Sequence, residues 1–371
     1  MSGLGPKLTI VSENTLGDGQ PQGQPGRPRP FPWEIGSATG IGSMPGTDPA
    51  AAARVIVDEL PDFPFLPELP SRGPGADLIG RTAALLIDLP VETTTGGWRV
   101  AERPGRVMRA AQSMLSSDLD VLEEQLAGYE GPLKISLAGP WTLAATIELP
   151  RALNPALADP GAVADLTASL AEATAAHVAE VAKRVPGATL IVQFDEPSLP
   201  AVVNGEVPTA SGLSRIAPPD QAIVSEHLQT VLTAAGRYTA IHCCAGRVPY
   251  AIILAAQPDA ISFDLSLVRR EDGDLIAEIA DTGSGIFAGA VKTILPRNTR
   301  DDPPAKTART ILRFWRALGM DPGEAGRQIV VTPACGLAGA SPARAVEALA
   351  HSREAARIVP ELAEETPGDE D

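Results

Sequence analysis

Cysteine, aromatic side chains and positive charge are all scarce in this 371-residue chain. It has 3 cysteines, 4% aromatic residues, and 30 Lys and Arg against 46 Asp and Glu, for a formal net charge of −16. An odd cysteine count in a long chain argues against a disulfide-stapled secreted scaffold and favours a reducing compartment, so we expect the cytoplasm. The acidic balance argues against nucleic acid or an anionic membrane surface as the main partner.

Long apolar runs are missing as well. No stretch approaches the ~18 apolar residues of a membrane span, and the amino terminus lacks the basic and apolar regions of a signal peptide. Residues 1–32 are rich in Gly, Pro, Gln and Ser, and we expect them to form a flexible arm. Residues 359–371 are rich in Glu and Asp, and we expect a disordered acidic tail there.

Between these ends, short apolar segments alternate with segments of helical spacing. Most of the short segments are apolar throughout, which is the pattern of parallel strands buried on both faces. Several helical segments open with Ser or Asp followed by Pro, as helix amino termini do. The predicted strands are Thr39–Ser43, Phe63–Leu66, Lys134–Ala138, Thr189–Phe194, Tyr238–Cys243, Ala260–Asp264, Gly285–Ala290 and Gln328–Pro333. The predicted helices are Asp48–Leu60, Asp159–Arg184, Pro219–Ala235, Val248–Ala256, Leu275–Asp281, Thr307–Leu318 and Ser341–Ile358.

Eight strand–helix units predict an α/β fold, a single (β/α)₈ TIM barrel over residues 33–358. A doubly wound sheet is the alternative. It has little support as a dinucleotide-binding layout, because no Gly-x-Gly-x-x-Gly turn follows the first strand. The section from about Arg72 to Glu130 exceeds one crossover, so we expect extra helices or a hairpin near the barrel mouth.

The three cysteines lie at the ends of two predicted strands. His242, Cys243 and Cys244 follow one apolar run, and Cys335 ends another. His242 and Cys244 bracket one residue, so on an extended backbone both point to the same side and Cys243 to the other. Imidazole and thiolate are zinc ligands, and Asp264 at a further strand end could complete the set. Free cysteines are more often small buried apolar residues, which is the alternative interpretation.

Polar residues close several other predicted strands, where the active face of a barrel forms. Asp195 and Glu196 follow an apolar strand, which indicates either ligand binding or a capped loop start. The turn 42–48 is rich in Gly and precedes a helix, so its backbone amides could bind an anionic group.

Five separated motifs together resemble the catalytic barrel of cobalamin-independent methionine synthases. The resemblance covers about residues 37 to 345 and implies a TIM barrel with methyltransferase activity in methionine biosynthesis. Single motifs such as Asp-Glu-Pro are not specific, whereas the ordered set is. The motifs are Ile41–Pro45, Gly139–Thr142, Asp195–Pro197, His242–Cys244 and Pro333–Leu337.

The resemblance implies that zinc binds and activates the thiol of homocysteine or a similar small molecule. Its metal ligands would be His242, Cys244, Asp264 and Cys335, although the family more often has Glu at the position of Asp264. The substrate carboxylate would contact Ile41 and Ser43. The substrate amine would contact Asp195 and, on a looser match, Glu68.

The departures from the family concern the methyl donor. The family's full-length enzyme has a second, amino-terminal barrel that helps to bind a polyglutamylated folate, where this chain has only the short arm. Thr146 aligns with a Trp that packs on the pterin, and Lys292 and Ile294 align with an Asp and a proton-donating His. The expected donor is therefore not methyltetrahydrofolate polyglutamate; a methylated corrinoid or its carrier protein is one candidate. A thiol- or metal-binding barrel without methyl transfer is the alternative, and a decarboxylase-like relative is a weaker one.

Overall fold

Six parallel strands form a curled sheet in which each strand pairs with the next one along the chain. The structure is a computed structural model that describes residues 30–151, 153–296 and 299–365. Most of the predicted arm and the end of the predicted tail therefore lie outside the described residues. In sheet order the strands are β3 Gly131–Ala138, β5 Ala188–Asp195, β6 Tyr238–His242, β7 Ala260–Asp264, β8 Gly285–Val291 and β9 Ile329–Pro333.

Two short segments close this sheet into a ring. Each makes a single parallel bridge to one edge of the sheet, and a third bridge joins the two segments to each other. These segments overlap the first two predicted strands, so eight segments surround one interior and the predicted TIM-barrel fold is confirmed. The bridged pairs are Ala38 with Val331, Phe65 with Lys134, and Ser43 with Glu68.

Helices connect the strands, and their amino termini carry the predicted caps. Asp48 accepts hydrogen bonds from the backbone N–H groups of Ala50 and Ala51, with Pro49 at the first helical position. Asp159 and Ser341 cap two longer helices in the same way. In the described residues the helices are α1 Pro49–Glu59, α2 Leu78–Ala83, α3 Arg106–Gln125, α4 Pro140–Thr146, α5 Pro160–Arg184, α6 Leu199–Val203, α7 Gln221–Ala235, α8 Tyr250–Ala256, α9 Gly273–Asp281, α10 Pro304–Ala317, α11 Pro322–Gln328 and α12 Pro342–Glu364.

The long section before β3 contains both kinds of predicted insertion. Helices α2 and α3 flank a hairpin of β1 Val91–Thr94 and β2 Gly97–Val100. The hairpin extends into a three-stranded sheet through β4 Ile147–Glu148, which follows α4. The insertion therefore lies beside the carboxyl end of β3, as predicted. None of the helices in the described part of the chain has the length and apolarity needed to cross a membrane.

Aromatic rings fill the opposite end of the barrel, where the strands begin. Trp33 is buried and stacks with Phe31 and Phe63 at centroid distances of 5.1 and 6.0 Å. Its ring meets the edges of Tyr238 and Phe287, both at 5.2 Å. Phe31 thus packs on the barrel, two residues before the predicted domain start. Because side chains fill this end of the barrel, we look for a functional site at the other end, where the strands terminate.

Helix α12 corrects the predicted start of the acidic tail. The helix was predicted to end at Ile358 but continues to Glu364 and contains Pro360. Proline removes a donor and clashes in a helix interior, so sequence pattern favoured an earlier end. Packing outweighs this cost: a Cβ on Gly326 of α11 would lie 2.8 Å from Cβ of Pro360, which shows how closely the two helices approach.

Candidate metal and substrate site

Three soft ligands meet at the carboxyl ends of two strands, and we call them the metal group: His242, Cys244 and Cys335. His242 ends β6, Cys244 follows two residues later, and Cys335 follows β9. One ligand atom of each lies within 4.8 Å of the others, and the two Sγ atoms are 2.9 Å apart. The donor set of one imidazole and two thiols fits zinc. The structure thus brings three of the four predicted ligands together.

The remaining predicted ligand, Asp264, lies outside the metal group. It ends β7, and its Oδ1 accepts hydrogen bonds from the backbone N–H and the hydroxyl of Ser266, at 2.8 and 2.6 Å. The carboxylate therefore caps the 3₁₀ turn Leu265–Leu267. Asp is one methylene shorter than Glu, so its carboxylate extends less far toward the metal group. Its hydrogen bonds to Ser266 hold it near its own backbone instead.

Cys243 lies on the other side of the strand from the metal group, as the two-residue side-chain period requires. It is 1% exposed and belongs to the hydrophobic core. Burial raises the pKa of its thiol to about 12. For this cysteine the apolar interpretation agrees with the structure.

The pKa values of His242 and Cys335 favour the ligating forms of these two side chains. Burial lowers the pKa of His242, so its imidazole stays neutral, which is the ligating form. The Ser262 hydroxyl is 2.8 Å from His242 Nδ1, which leaves Nε2 for a ligand. The hydrogen bond from Cys244, together with one from His242, lowers the pKa of Cys335 to about 4. The same hydrogen bond raises the pKa of Cys244, so Cys335 is the member of the pair that more readily gives a thiolate.

A second cluster lies inside the barrel next to the metal group, and we call it the amino-acid pocket: Ile41, Ser43, Glu68, Lys134 and Asp195. Three side chains from β3 and β5 converge on its first member. The Ile41 carbonyl accepts hydrogen bonds from Lys134 Nζ, from Ser136 Oγ at 3.2 Å and from Gln193 Nε2 at 3.0 Å. This fixes the turn that the sequence predicted to bind a carboxylate.

Ser43 joins the pocket to the metal group. Its carbonyl accepts the N–H of Leu337 at 2.8 Å, two residues after Cys335. A Cβ on Gly336 would lie 2.1 Å from Ser43 Oγ, so a larger residue would force the hydroxyl to rotate away from this position. The predicted carboxylate-binding turn and the predicted thiolate ligand are therefore held against one another.

Two carboxylates of the pocket are buried where an amine was predicted to bind. Glu68 is 4% and Asp195 6% exposed, and burial raises the pKa of both. Asp195 Oδ1 accepts a hydrogen bond from Gln193 Nε2 at 2.7 Å. Glu68 Oε1 is buried and has no hydrogen-bond partner among the described residues. A buried acceptor without a donor is costly, and a ligand ammonium would satisfy it.

Glu196, the neighbour of Asp195, has a structural role. Its carboxylate accepts hydrogen bonds from the N–H groups of Trp141 and Thr142, at 3.0 and 2.7 Å, and from the Thr142 hydroxyl at 2.7 Å. It thereby caps α4 from another strand. A Cβ on Gly139 would lie 2.3 Å from Glu196 Oε1, so the Gly-Pro-Trp-Thr motif is fitted to this contact. From the sequence alone, Glu196 could either bind a ligand or cap the start of a loop.

Sequence reasoning missed Lys134 and Ser262. The signal for Lys134 was a lysine inside an otherwise apolar strand, where a charge requires a partner. The signal for Ser262 was its position two residues before Asp264, on the same face of β7.

Two of the three residues aligned with the family's folate-side positions are more exposed than the metal group and the amino-acid pocket. The side chains of Lys292 and Ile294, after β8, are 64% and 63% exposed. Thr146 ends α4, and its hydroxyl bonds back to the Thr142 carbonyl at 2.7 Å. The structure therefore presents a lysine and an isoleucine to solvent at the predicted folate positions.

Comparison with known proteins gives one family and a shared fold. The family model described as Cobalamin-independent synthase, Catalytic domain, matches residues 152–358. A B12-independent methionine synthase from Shewanella sp. W3-18-1, solved in complex with selenomethionine, is similar with a TM-score of 0.59 and 13% identity, over 89% of this chain and 99% of that one. A GH5_18 protein from Streptomyces cattleya has a TM-score of 0.45 and 12% identity, over 89% and 81%, too low to carry an argument. No curated protein matches the chain.

Proposed function

The chain belongs to the cobalamin-independent synthase family, and from this we propose that it is a zinc-dependent methyltransferase acting on the thiol of homocysteine or a similar amino acid. The observation that carries the proposal is the contact between the two clusters, since Ser43 lies against the loop of Cys335. A small molecule with a thiol at one end and an amino-acid group at the other would reach both. The Shewanella enzyme was solved with selenomethionine, an amino acid whose side chain carries a methylated selenium at its end.

The metal fits the residues present. Zinc, when bound by His242, Cys244 and Cys335, would lower the pKa of the substrate thiol and supply a thiolate near neutral pH. Asp264 uses Oδ1 to cap Ser266 and is not among the ligand atoms that lie within 4.8 Å of one another, so its carboxylate would have to turn toward them to become a ligand. We therefore propose three protein ligands, with Asp264 as a ligand only after such a rearrangement.

The chain's own residues position the substrate. The turn at Ile41 and Ser43 would bind its carboxylate, while Glu68 and Asp195 would bind its ammonium group. Both carboxylates are buried, so water competes little for the amine. In the reaction the sulfur–methyl bond forms as the donor–methyl bond breaks, and the thiol proton leaves before attack. Fixing the amino-acid end sets the direction from which sulfur meets the donor.

For the methyl donor we propose a molecule other than methyltetrahydrofolate polyglutamate. The support is the exposed pair Lys292 and Ile294 at the positions where the family has an Asp and a proton-donating His. Ile294, which aligns with the proton-donating His, has no acidic proton to give to a pterin, as imidazole has. A methylated corrinoid or its carrier remains the candidate to assay first. The three free cysteines suit a reducing compartment such as the cytoplasm.

One set of measurements tests this function. Protein purified without chelator should hold about one zinc per chain, bind homocysteine only when zinc is present, and methylate it with one member of a donor panel. Absence of zinc would contradict the proposal. The second candidate, a thiol- or metal-binding barrel without methyl transfer, is favoured by the position of Asp264 outside the metal group. It predicts zinc and thiol binding with no turnover for any donor.

A further inference from the structure

Cys244 and Cys335 are close enough to react with each other as well as to bind a metal. They are 91 residues apart in the chain, yet their Sγ atoms are 2.9 Å apart. Both thiols are free and partly exposed, so a small solute can reach them. A thiolate attacks a disulfide to form a mixed disulfide, which a second thiol nearby resolves. The pair therefore has both groups that this exchange requires.

The sheet fixes the backbone on each side of the pair. Cys243, just before one of the two, donates its N–H to the Ser262 carbonyl of β7 at 2.9 Å. Ala334, just before the other, donates its N–H to the Val291 carbonyl of β8 at 2.8 Å. Bond formation between the two sulfurs therefore needs a small rotation of two side chains and no movement of the strands. Reacting groups held together in this way combine far faster than free ones.

The third cysteine of the chain provides an internal comparison. Cys243 is the sequence neighbour of Cys244, but it is 1% exposed and lies on the other side of the strand. If proximity along the chain decided which thiols pair, Cys243 would be the partner of Cys244. If the fold decides, the partner is Cys335. The two results are distinguishable in the wild-type protein.

We propose that Cys244 and Cys335 form a reversible oxidation site, at which a small-molecule disulfide converts the two thiols to an intramolecular disulfide. The thiolate of one cysteine attacks the small disulfide, so that one of its sulfurs stays on the protein and the other leaves as a thiolate. The second cysteine gives up its proton and attacks the protein sulfur of this intermediate, which releases the second small thiol. The protein loses two electrons and two protons, and the small disulfide gains them as two thiols.

The disulfide would prevent metal binding. It removes both thiolates from the metal group and leaves His242 alone, so zinc should not bind until the disulfide is reduced. Bound zinc should in turn protect the thiols, because a metal-bound thiolate must dissociate before it attacks. This consequence rests on the proposed function, whereas the pairing of the two thiols does not.

The test treats reduced, metal-free protein with 2-hydroxyethyl disulfide, a small uncharged oxidant, and follows the intact mass. The wild type should lose two hydrogen atoms and keep no adduct. Alkylation of the remaining thiol and fragmentation of the labelled peptide should place the label on Cys243. Cys335→Ser should instead stop at a mixed disulfide on Cys244. An unreacted pair, a lasting adduct on the wild type, or a bridge between Cys243 and Cys244 would overturn the inference.

Zinc uptake is a second readout and does not depend on turnover. Oxidised protein should take up less than about one tenth of the zinc that reduced protein binds, and dithiothreitol should restore uptake. Zinc-loaded protein should form the disulfide at least about tenfold more slowly than metal-free protein. Cys243→Ala should match the wild type in both respects, and the mapping in the wild type does not depend on the folding of any variant.

The two readouts separate this inference from the proposed function. Full zinc uptake by protein that carries the Cys244–Cys335 disulfide would overturn the inference. Failure of the reduced protein to bind zinc would instead contradict the proposed function, and the mapped position of the disulfide would still decide which thiols pair.

Discussion

The metal group and the amino-acid pocket are neighbours built in opposite ways. Cys244 and Cys335 lie just beyond strand ends and are partly exposed. Glu68, Lys134 and Asp195 are buried charges facing the barrel interior. The two cysteine ligands can be replaced with little effect on the core, whereas buried charges affect folding and binding together. Substitutions in the two clusters should therefore separate metal binding, ligand binding and stability.

The largest expected effect is the loss of zinc from Cys335→Ser. Removing a thiolate ligand should lower zinc affinity by on the order of 100-fold or more. Residues that only hydrogen-bond to a metal ligand typically contribute about 10- to 100-fold, and a direct ligand should contribute at least as much. The free energy of unfolding in chelator should change by less than about 1 kcal/mol, because the residue is partly exposed. Metal analysis and chemical denaturation check the two effects. Cys243→Ala is the control: it should lose stability through a core cavity and keep its zinc.

The Asp195→Asn variant should lose ligand affinity and gain stability. Homocysteine affinity should fall by about 10- to 100-fold, as expected when a charged hydrogen bond is lost. Burial raises the folded-state pKa of Asp195, so its contribution to stability is fully present below the unfolded pKa and is lost as pH rises through the folded pKa. Asn cannot ionise and avoids this loss. Its melting temperature should exceed that of the wild type by about 2–4 °C at pH 7, and the gap should close near pH 4. A lower melting temperature at pH 7 would contradict this.

Glu196→Gln should have the reverse effect, although it is the adjacent residue. An amide cannot accept all three hydrogen bonds that the carboxylate accepts at the start of α4. The cost should be about 1–3 kcal/mol of stability, with homocysteine affinity within about threefold of the wild type. Thermal melts and calorimetry measured side by side with Asp195→Asn would show whether the two neighbours divide their roles as the structure indicates.

The smallest expected effect on zinc binding concerns Ser262→Ala. Without the hydroxyl the His242 ring loses its orienting partner, and zinc affinity should fall by about tenfold. Competition with a chromophoric chelator measures the change. Ser262→Thr keeps a hydroxyl and should restore most of the affinity. Equal affinities in the Ala variant and the wild type would show that Ser262 does not orient the ligand.

The barrel could be predicted from the sequence because its strands are short, apolar and buried on both faces. The single-bridge segments overlap the predicted strands Thr39–Ser43 and Phe63–Leu66, which are buried for most of their length although the first contains only one large apolar residue, Ile41. The turns that precede helices were readable from Asp, Ser and Pro at their caps. The length of the section from about Arg72 to Glu130 predicted extra helices or a hairpin before β3, but it did not show which residues would form them.

The parts that could not be predicted depend on contacts between distant residues. The sequence placed Asp264 at a strand end but could not show that Ser266 would engage its carboxylate. It placed two carboxylates at the end of β5 without showing that Glu196 reaches α4. Lys134 was passed over because its partner, the Ile41 carbonyl, lies 93 residues away in the chain. Helix α12 passes Pro360 because of packing on α11, which the local pattern does not contain.

The most direct test of the central claim, that zinc and an amino-acid thiol meet between these two clusters, is X-ray absorption at the zinc edge with and without homocysteine. The account predicts zinc with two sulfur ligands from Cys244 and Cys335 in the free protein, and one additional sulfur ligand when homocysteine is added. It further predicts that the additional sulfur is absent in Asp195→Asn at low homocysteine concentration and returns at high concentration. An unchanged number of sulfur ligands with saturating homocysteine, or protein that retains no zinc, would contradict it.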